Sequence, residues 1–510
     1  MKGTDENESS IHYCSGGGKG TRMEHLTANK PKALVPIGNR PMLFHLFEKY
    51  PDKRFIVIAD YKSDVMKKYL YAFAKVNYLV VDAHGKKGTC AGVKKALEMV
   101  PDNEECMLIW SDLVLPENFE FPKQKDDYVG LSKNFRCRWS YKDSQFEEIP
   151  SEDYGVAGLF IFKDKSKLKD VPEEGELVRW MQQQGQIYNT FGLYQTKEYG
   201  LLSEWKKIGE RKEGGQCRPF NKMTVEGNVI TKEGVDEQGK ALAVREKAWY
   251  KYVINKNYKQ IPQIYSFEPF AMQKINGKNI YQYDLQLEQQ KEVIDKLVKC
   301  LKELHTFGKA PADYFSIYEA YLGKTFKRLE KIRDLVPFAN EKYIVVNGRK
   351  CRNVFFYKDE LIKKFENYKC NEFVFLHGDN TFSNMMLDDE TMSPVLIDPR
   401  GYFGYTEMYG DVVYDWAKLY YSIVGNYDQF NLKRFRLQIN ENDVMLDIES
   451  NHWEAVEDYY LDLIKDEVDK NTIKLIHAII WLSLTTYAWE DYDSICGAFY
   501  NGLYYLEEVL

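Results

Sequence analysis

The chain has 510 residues, 44% of them hydrophobic and 29% charged, with a formal net charge of -7 at pH 7. That is too much chain for one hydrophobic core and predicts two to four globular domains. The acidic balance, with no basic stripe, argues against non-specific nucleic-acid binding. No apolar run has the length that crosses a bilayer, and Met1–Glu8 is polar where a signal peptide would be apolar, so no membrane insertion is expected. Nine cysteines without CxxC spacing point to reduced thiols and a cytoplasmic location.

Residues 11–16 read as an apolar strand that runs into a glycine-rich turn. Gly16, Gly17, Gly18 and Gly20 follow, with Thr21 and Arg22 behind them. Glycines permit positive φ and let backbone N–H groups approach phosphate oxygens, and Thr21 and Arg22 add donors. No Gly-Lys-Ser/Thr closes the loop, so it is not a Walker A loop, nor is it the usual dinucleotide fingerprint. Pro31-Lys32 follows. Helices are predicted over 43–49, 64–74 and 93–99, and buried strands over 54–59, 78–81 and 106–110. Gly88-Thr89 opens the third helix, and the last strand ends on Ser111-Asp112. This alternation predicts an α/β domain with a mostly parallel, Rossmann-like sheet covered on both faces, with ligands at the carboxyl ends of strands. The glycine loop and Asp112 lie at such ends, where an aspartate can hold Mg2+ between phosphates. With Arg22 and Lys32, these groups would lower the repulsion between a phosphate monoester and the α-phosphate of a nucleoside triphosphate.

Gly18-Lys19-Gly20-Thr21-Arg22, Pro31-Lys32, Gly88-Thr89 and Asp112 together resemble the sugar-nucleotide pyrophosphorylase family, which includes the phosphocholine cytidylyltransferases. The resemblance spans roughly residues 10–210. It implies that Arg22 and Lys32 bind the triphosphate, that Asp112 holds the metal, and that Gly85 to Thr89 approach the base or ribose. It also implies CTP as the nucleotide. The family's entry pattern is replaced here by Tyr13-Cys14-Ser15-Gly16. A late carboxylate completes the family's metal site, and the matching stretch, Trp205-Lys206-Lys207-Ile208-Gly209, carries a lysine instead. Glu204 is a neighbouring candidate. The alternatives are a misplaced alignment, a metal held by Asp112 and the phosphates alone, or an altered activity. Tyr154 to Phe162 reads as a strand over the acceptor pocket, with Tyr154, Gly158 and Asn189 as acceptor-binding candidates against a reading as core packing.

A polar, glycine-containing stretch from Gly209 to Gly215 predicts a boundary, with a nucleotidyltransferase domain over 10–212 and a kinase domain over 218–510. The second would divide into an amino-terminal lobe, 218–280, and a helical lobe, 281–510. Lys232 and Glu246 are the candidates for the strand-lysine and helix-glutamate pair that holds ATP phosphates, with Lys222 competing. Backbone groups from Met272 to Lys274 would take the adenine. The helix Leu287 to Leu304 ends on His305, read as packing or capping. An apolar strand then delivers His377-Gly378-Asp379 into a loop. Asp379 can accept the hydrogen bond of a substrate hydroxyl, Asn384 can reach a metal, and Asp398, on the end of the next strand, suits bridging Mg2+ to phosphates.

His377-Gly378-Asp379 with Asn384, followed by Ile397-Asp398, resembles the choline kinase and aminoglycoside phosphotransferase family over about 220–510. The resemblance implies a two-lobed α+β protein-kinase-like domain, ATP as donor, and a structural role for Asp415. Arg400 and Tyr402 are acceptor-site candidates that suit a polyhydroxylated or anionic acceptor better than choline. Helices are predicted over 451–466 and 474–489, and Trp481, Tyr487, Trp489 and Tyr492, which recur in this last stretch, are either an ammonium cage or core.

The expectation is a bifunctional enzyme. It would phosphorylate a small alcohol or sugar and join the phosphate ester to a nucleotide, for surface polysaccharide or lipid decoration. Two alternatives stay open: a choline kinase with phosphocholine cytidylyltransferase, and a binding or regulatory protein with one inactive nucleotide domain. The oligomeric state is not legible.

Overall fold

The computed structural model describes residues 12–16, 20–83, 85–212 and 221–510. Gly17, Gly18 and the linker expected at 213–217 lie outside the described residues. The chain divides into two compact units, Met1–Glu213 with Trp489–Asp493, and Gly214–Ala488 with Ser494–Leu510.

The first unit is built on a seven-stranded sheet. Its spatial order is Asn189–Leu193, Tyr128–Ser132, Val156–Phe162, Cys106–Trp110, His12–Gly16, Arg54–Ala59 and Asn77–Asp82. All neighbours pair in parallel except Val156–Phe162, which is antiparallel to both of its own. All seven residues of that strand are buried, as expected of a central strand covered on both faces. Helices Met42–Lys49, Ser63–Phe73, Cys90–Glu98 and Leu177–Gln184 supply the cover. In Ser63–Phe73 the buried residues are Val65, Met66, Tyr69, Leu70 and Phe73, one stripe at helical spacing. Ile56, Leu108, Val129, Phe160 and Phe162 meet in the core. Each fully buried side chain of this size contributes roughly 1.5–3 kcal/mol.

The second unit opens with a four-stranded antiparallel sheet, in the order Asn221–Glu226, Val229–Gly234, Phe270–Gln273 and Ile264–Phe267. Helix Glu237–Asn255 follows its second strand and is capped by Asp236, whose carboxylate accepts the Gly239 N–H at 2.7 Å. The remainder is largely helical, including Leu287–His305, Lys324–Ile332, Val412–Ile423 and Lys470–Leu484. Two departures from the sequence reading stand out. The helix expected over 451–466 is confined to Glu457–Ile464, and its successor begins at Lys470, where the Asp469 side chain accepts two N–H groups, and ends at Leu484. A four-stranded sheet of Arg349–Arg352, Tyr343–Val346, Val444–Ile448 and Phe435–Ile439 was not expected.

Candidate active sites

In the first unit the chain turns at Gly20, whose φ is 62°. A Cβ there would lie 3.0 Å from the Lys32 side chain, so glycine is what lets Lys32 come close. Lys32 is buried and ion-paired to Asp112, just past the end of Cys106–Trp110. The other oxygen of Asp112, Oδ1, is buried with no hydrogen-bond partner among the described residues. A carboxylate oxygen taken from water without a partner is costly, and a cation would relieve that cost.

The second carboxylate is Glu198, which the sequence reading missed. Lys197–Glu198 pairs antiparallel with Leu113–Val114, Glu198 opposite Leu113, and the Tyr199 N–H donates to the Asp112 carbonyl at 2.9 Å. Burial and then the charge of Asp112 push the Glu198 carboxyl above its usual range, while Lys32 and Arg22 pull it back. Mg2+ is commonly held by one or two carboxylates plus substrate phosphates, and Asp112 with Glu198 fits that donor set. Among the described residues no group of three or more His, Cys, Asp or Glu forms a cage for a metal by itself.

The stretch read as the late carboxylate segment is helical. It lies in helix Leu202–Lys212, where Trp205 donates its indole N–H to the Pro36 carbonyl at 2.8 Å and packs on the Met23, Leu26 and Val35 cluster. Lys207 pairs with Glu204 at 2.9 Å on the exposed face. Glu204 adds to the negative charge felt by Glu198. Gly88 has φ 83°, and a Cβ there would meet the Gly175 carbonyl oxygen at 2.2 Å. The Thr89 hydroxyl accepts the Leu177 N–H at 2.9 Å. Gly158, at φ 89°, makes room for the ring of Trp110, which a Cβ would meet at 2.1 Å. Tyr154 is exposed, with the ammonium groups of Lys133 and Lys142 at 5.7 and 5.2 Å from its ring. Asn189 does not join the site. It pairs with Tyr128 at the start of two parallel strands, a strand length from the ends at Gly16 and Trp110, and it donates to Asp126 at 2.7 Å.

In the second unit Lys232 Nζ reaches Glu246 at 2.7 Å and also pairs with Asp398. Lys222 lies on the neighbouring strand, exposed, opposite Glu233. Met272 is buried in the sheet, in register with Ile230 and Ile264. The N–H groups of Gln273 and Lys274 donate to Gln263 and Asn228, each at 2.8 Å, so the Lys274 N–H expected for adenine is already engaged.

The Asp379 loop hangs on Asp415. This fully buried carboxylate accepts the His377 N–H at 3.0 Å, the Gly378 N–H at 2.8 Å and a contact from His305 Nε2 at 2.9 Å. His305 therefore braces the loop from below. Asn384 Nδ2 donates to Asp379 twice, to its carbonyl at 2.8 Å and to Oδ2 at 3.0 Å. Asp398 adopts φ 53°, a left-handed conformation unusual outside glycine and common where side chains must be re-aimed. Asn384 and Asp398 supply the oxygen donors expected of a Mg2+–triphosphate site. Arg400 donates to the hydroxyls of Tyr414 and Tyr402, both at 2.8 Å. The four late aromatics form no cage. Trp481 is core, packed on Tyr421 and Phe430, and Tyr492 is buried. Trp489 belongs to the first unit, against Phe44 and Phe73, and Tyr487 faces the Arg328 guanidinium at 5.7 Å.

Fold and sites define two units, one an α/β sheet with a lysine–carboxylate cluster past a strand end and one a kinase-like pair of lobes. Residues 16–126 match the nucleotidyl transferase family model and residues 240–443 the phosphotransferase enzyme family model, so the chain carries one domain of each. The chain is 25% identical over 263 residues to the bifunctional protein GlmU of Methanococcus maripaludis, covering 44% of this chain and 60% of that protein. It is 27% identical over 169 residues to the UTP–glucose-1-phosphate uridylyltransferase AglF of Haloferax volcanii, covering 31% and 63%. A probable glucose-1-phosphate cytidylyltransferase of Bacillus subtilis is 38% identical over 71 residues, 13% of this chain and 28% of that one. The chain thus spans less than two thirds of each of these relatives. Among solved structures, the CTP:phosphocholine cytidylyltransferase LicC of Streptococcus pneumoniae aligns at 16% identity and a TM-score of 0.33, over 40% of this chain and 99% of that one. No helix among the described residues is long and apolar enough to cross a membrane.

Proposed function

We propose that the chain is a bifunctional cytoplasmic enzyme. Its second unit phosphorylates a small alcohol or sugar with ATP, and its first unit couples the resulting phosphate ester to a second nucleotide. The observation that carries this reading is a pair of separate lysine–carboxylate centres. One is Lys32 with Asp112 and Glu198, and the other is Lys232 with Glu246 and Asp398, beside Asp379 and Asn384.

In the kinase step Asp379 takes the acceptor's hydroxyl proton while that oxygen bonds to the γ-phosphorus and ADP departs. Asn384 fixes the Asp379 rotamer, and Lys232 holds the nucleotide phosphates, oriented by Glu246. In the transfer step an oxygen of the phosphate ester bonds to the α-phosphorus and pyrophosphate leaves. Arg22 and Lys32 neutralise the triphosphate, and Gly20 lets the backbone approach it. Mg2+, when bound at either centre, offsets phosphate charge. CTP as the second nucleotide is supported by the local likeness to a probable glucose-1-phosphate cytidylyltransferase. Surface polysaccharide or lipid decoration is the destination we propose for the product.

The test is ADP release by the full chain from ATP with a panel of sugars, polyols and amino alcohols and, separately, pyrophosphate release from each of CTP, UTP and GTP with the phosphate esters of the same compounds supplied. Asp112→Ala should lose pyrophosphate release and keep ADP release, and Asp379→Ala should do the reverse. Loss of both activities in either folded variant would refute the division of labour.

A further inference from the structure

We infer that the phosphate acceptor carries an anionic group of its own, a phosphate or carboxylate, in addition to the hydroxyl that is phosphorylated. The inference rests on the kinase reading of the second unit and names its substrate class.

Four cations from separate parts of the helical lobe lie near one another, and two of them, Lys418 and Arg400, are within electrostatic reach of Asp379. Lys418, on helix Val412–Ile423, reaches Asp379 Oδ1 at 3.0 Å. Arg400 spends both terminal nitrogens on the hydroxyls of Tyr414 and Tyr402, and its Nε is buried with no partner among the described residues. Lys324 and Arg328 lie one turn apart on one face of helix Lys324–Ile332. Arg328 is tethered to the Ser483 carbonyl. Lys324 makes no hydrogen bond or ion pair with any described residue. Burial, and then the charges of Arg400, Arg328 and Lys418, push the Lys324 ammonium well below its usual range, while Glu319 pulls the other way. Arg400 and Lys418 are thus close enough to Lys324 to repel it.

Such a grouping in a chain of net charge -7 is not a solvated basic face. Asp379 pairs with Lys418 and Glu319 acts on Lys324, so the cations outnumber the carboxylates beside them; packing like charges together is unfavourable, and a ligand anion reverses the sign of the interaction. The tyrosine hydroxyls that hold Arg400 keep its guanidinium oriented without neutralising it. The nucleotide's own γ-phosphate is the other source of negative charge. Lys232, however, touches Glu246 and Asp398, whereas this cluster touches Asp379, Tyr402 and Tyr414, on the side of the proton acceptor. A quaternary ammonium acceptor would meet four like charges there.

The experiment is calorimetric titration of the full chain with methyl phosphate, which has no hydroxyl to react, in the presence of saturating Mg2+ and the non-hydrolysable ATP analogue AMP-PNP. Methyl phosphate should bind the nucleotide-filled protein. Lys324→Met should weaken that binding about tenfold or more, the size expected for a charged hydrogen bond, with AMP-PNP affinity unchanged and binding restored by Lys324→Arg. Lys324→Met removes an unpaired, half-buried charge, so the fold should persist, and its melting temperature checks this. Methyl phosphate that binds only when AMP-PNP is absent, or equally well to Lys324→Met, overturns the inference while the kinase reading stands. Failure of AMP-PNP to bind at all overturns both.

Discussion

Glu198 stands opposite Leu113 in a two-residue antiparallel pairing, and that register brings its carboxylate within electrostatic reach of Asp112. Two carboxylates so placed, one buried and one half-buried, repel one another unless a cation sits with them, and Lys32 is already engaged with Asp112. Glu198→Gln should therefore cut pyrophosphate release about a hundredfold or more, since a metal contributes several kcal/mol to such transfers, and leave ADP release intact. An unchanged rate of pyrophosphate release in the variant would remove Glu198 from the site.

Lys207→Asp restores an acid where the family pattern has one. Because Lys207 is exposed on helix Leu202–Lys212 and paired only with Glu204 in the described structure, we expect no change in pyrophosphate release and a melting temperature close to that of the native chain. A rise in activity would mean that this helix, not the Glu198 strand, completes the centre.

Asp415→Ala strips acceptors from the His377 and Gly378 N–H groups and from His305, all buried. Each orphaned buried donor costs about 1–3 kcal/mol, so urea denaturation of the second unit should show a loss of roughly 3 kcal/mol or more. ADP release should fall through kcat, because the Asp379 loop loses its anchor while Lys232 and Glu246 keep theirs.

Asp428 supplies a pH signature. Burial pushes its carboxyl up to about 6, against hydrogen bonds from Ser422 and Ser383 that pull it down. A folded value above the unfolded one means that its stability contribution is full below the unfolded value near 4 and is lost as pH rises through about 6. The native chain minus Asp428→Asn should lose roughly 3 kcal/mol of relative stability between pH 4 and pH 7 and stay level above that. A difference that grows with pH would contradict the burial argument.

Much of the fold was legible from pattern. The strands at 54–59 and 106–110 and the helices near 43–49 and 64–74 sit within a residue or so of where apolar spacing puts them. The hairpin Phe435–Ile439 with Val444–Ile448 was not read, although buried and exposed residues alternate along it with a period of two. Asn189, an acceptor-binding candidate, starts a strand whose direction was not legible, since nothing in Asn189 to Leu193 says that it runs parallel to Tyr128–Ser132.

What the amino-acid sequence determined by itself is the chemistry written over a few consecutive residues. Gly20-Thr21-Arg22 and His377 to Asn384 are readable because backbone freedom, donors and acceptors must coincide locally to hold a phosphate. What only the tertiary structure decided is which distant groups share a site. Strand register brought Glu198 to Asp112 and Lys232, not Lys222, to Glu246, and helix packing gathered Lys324, Arg328, Arg400 and Lys418. Long-range electrostatics depends on separation in space, and no spacing along the chain encodes that until the core has packed.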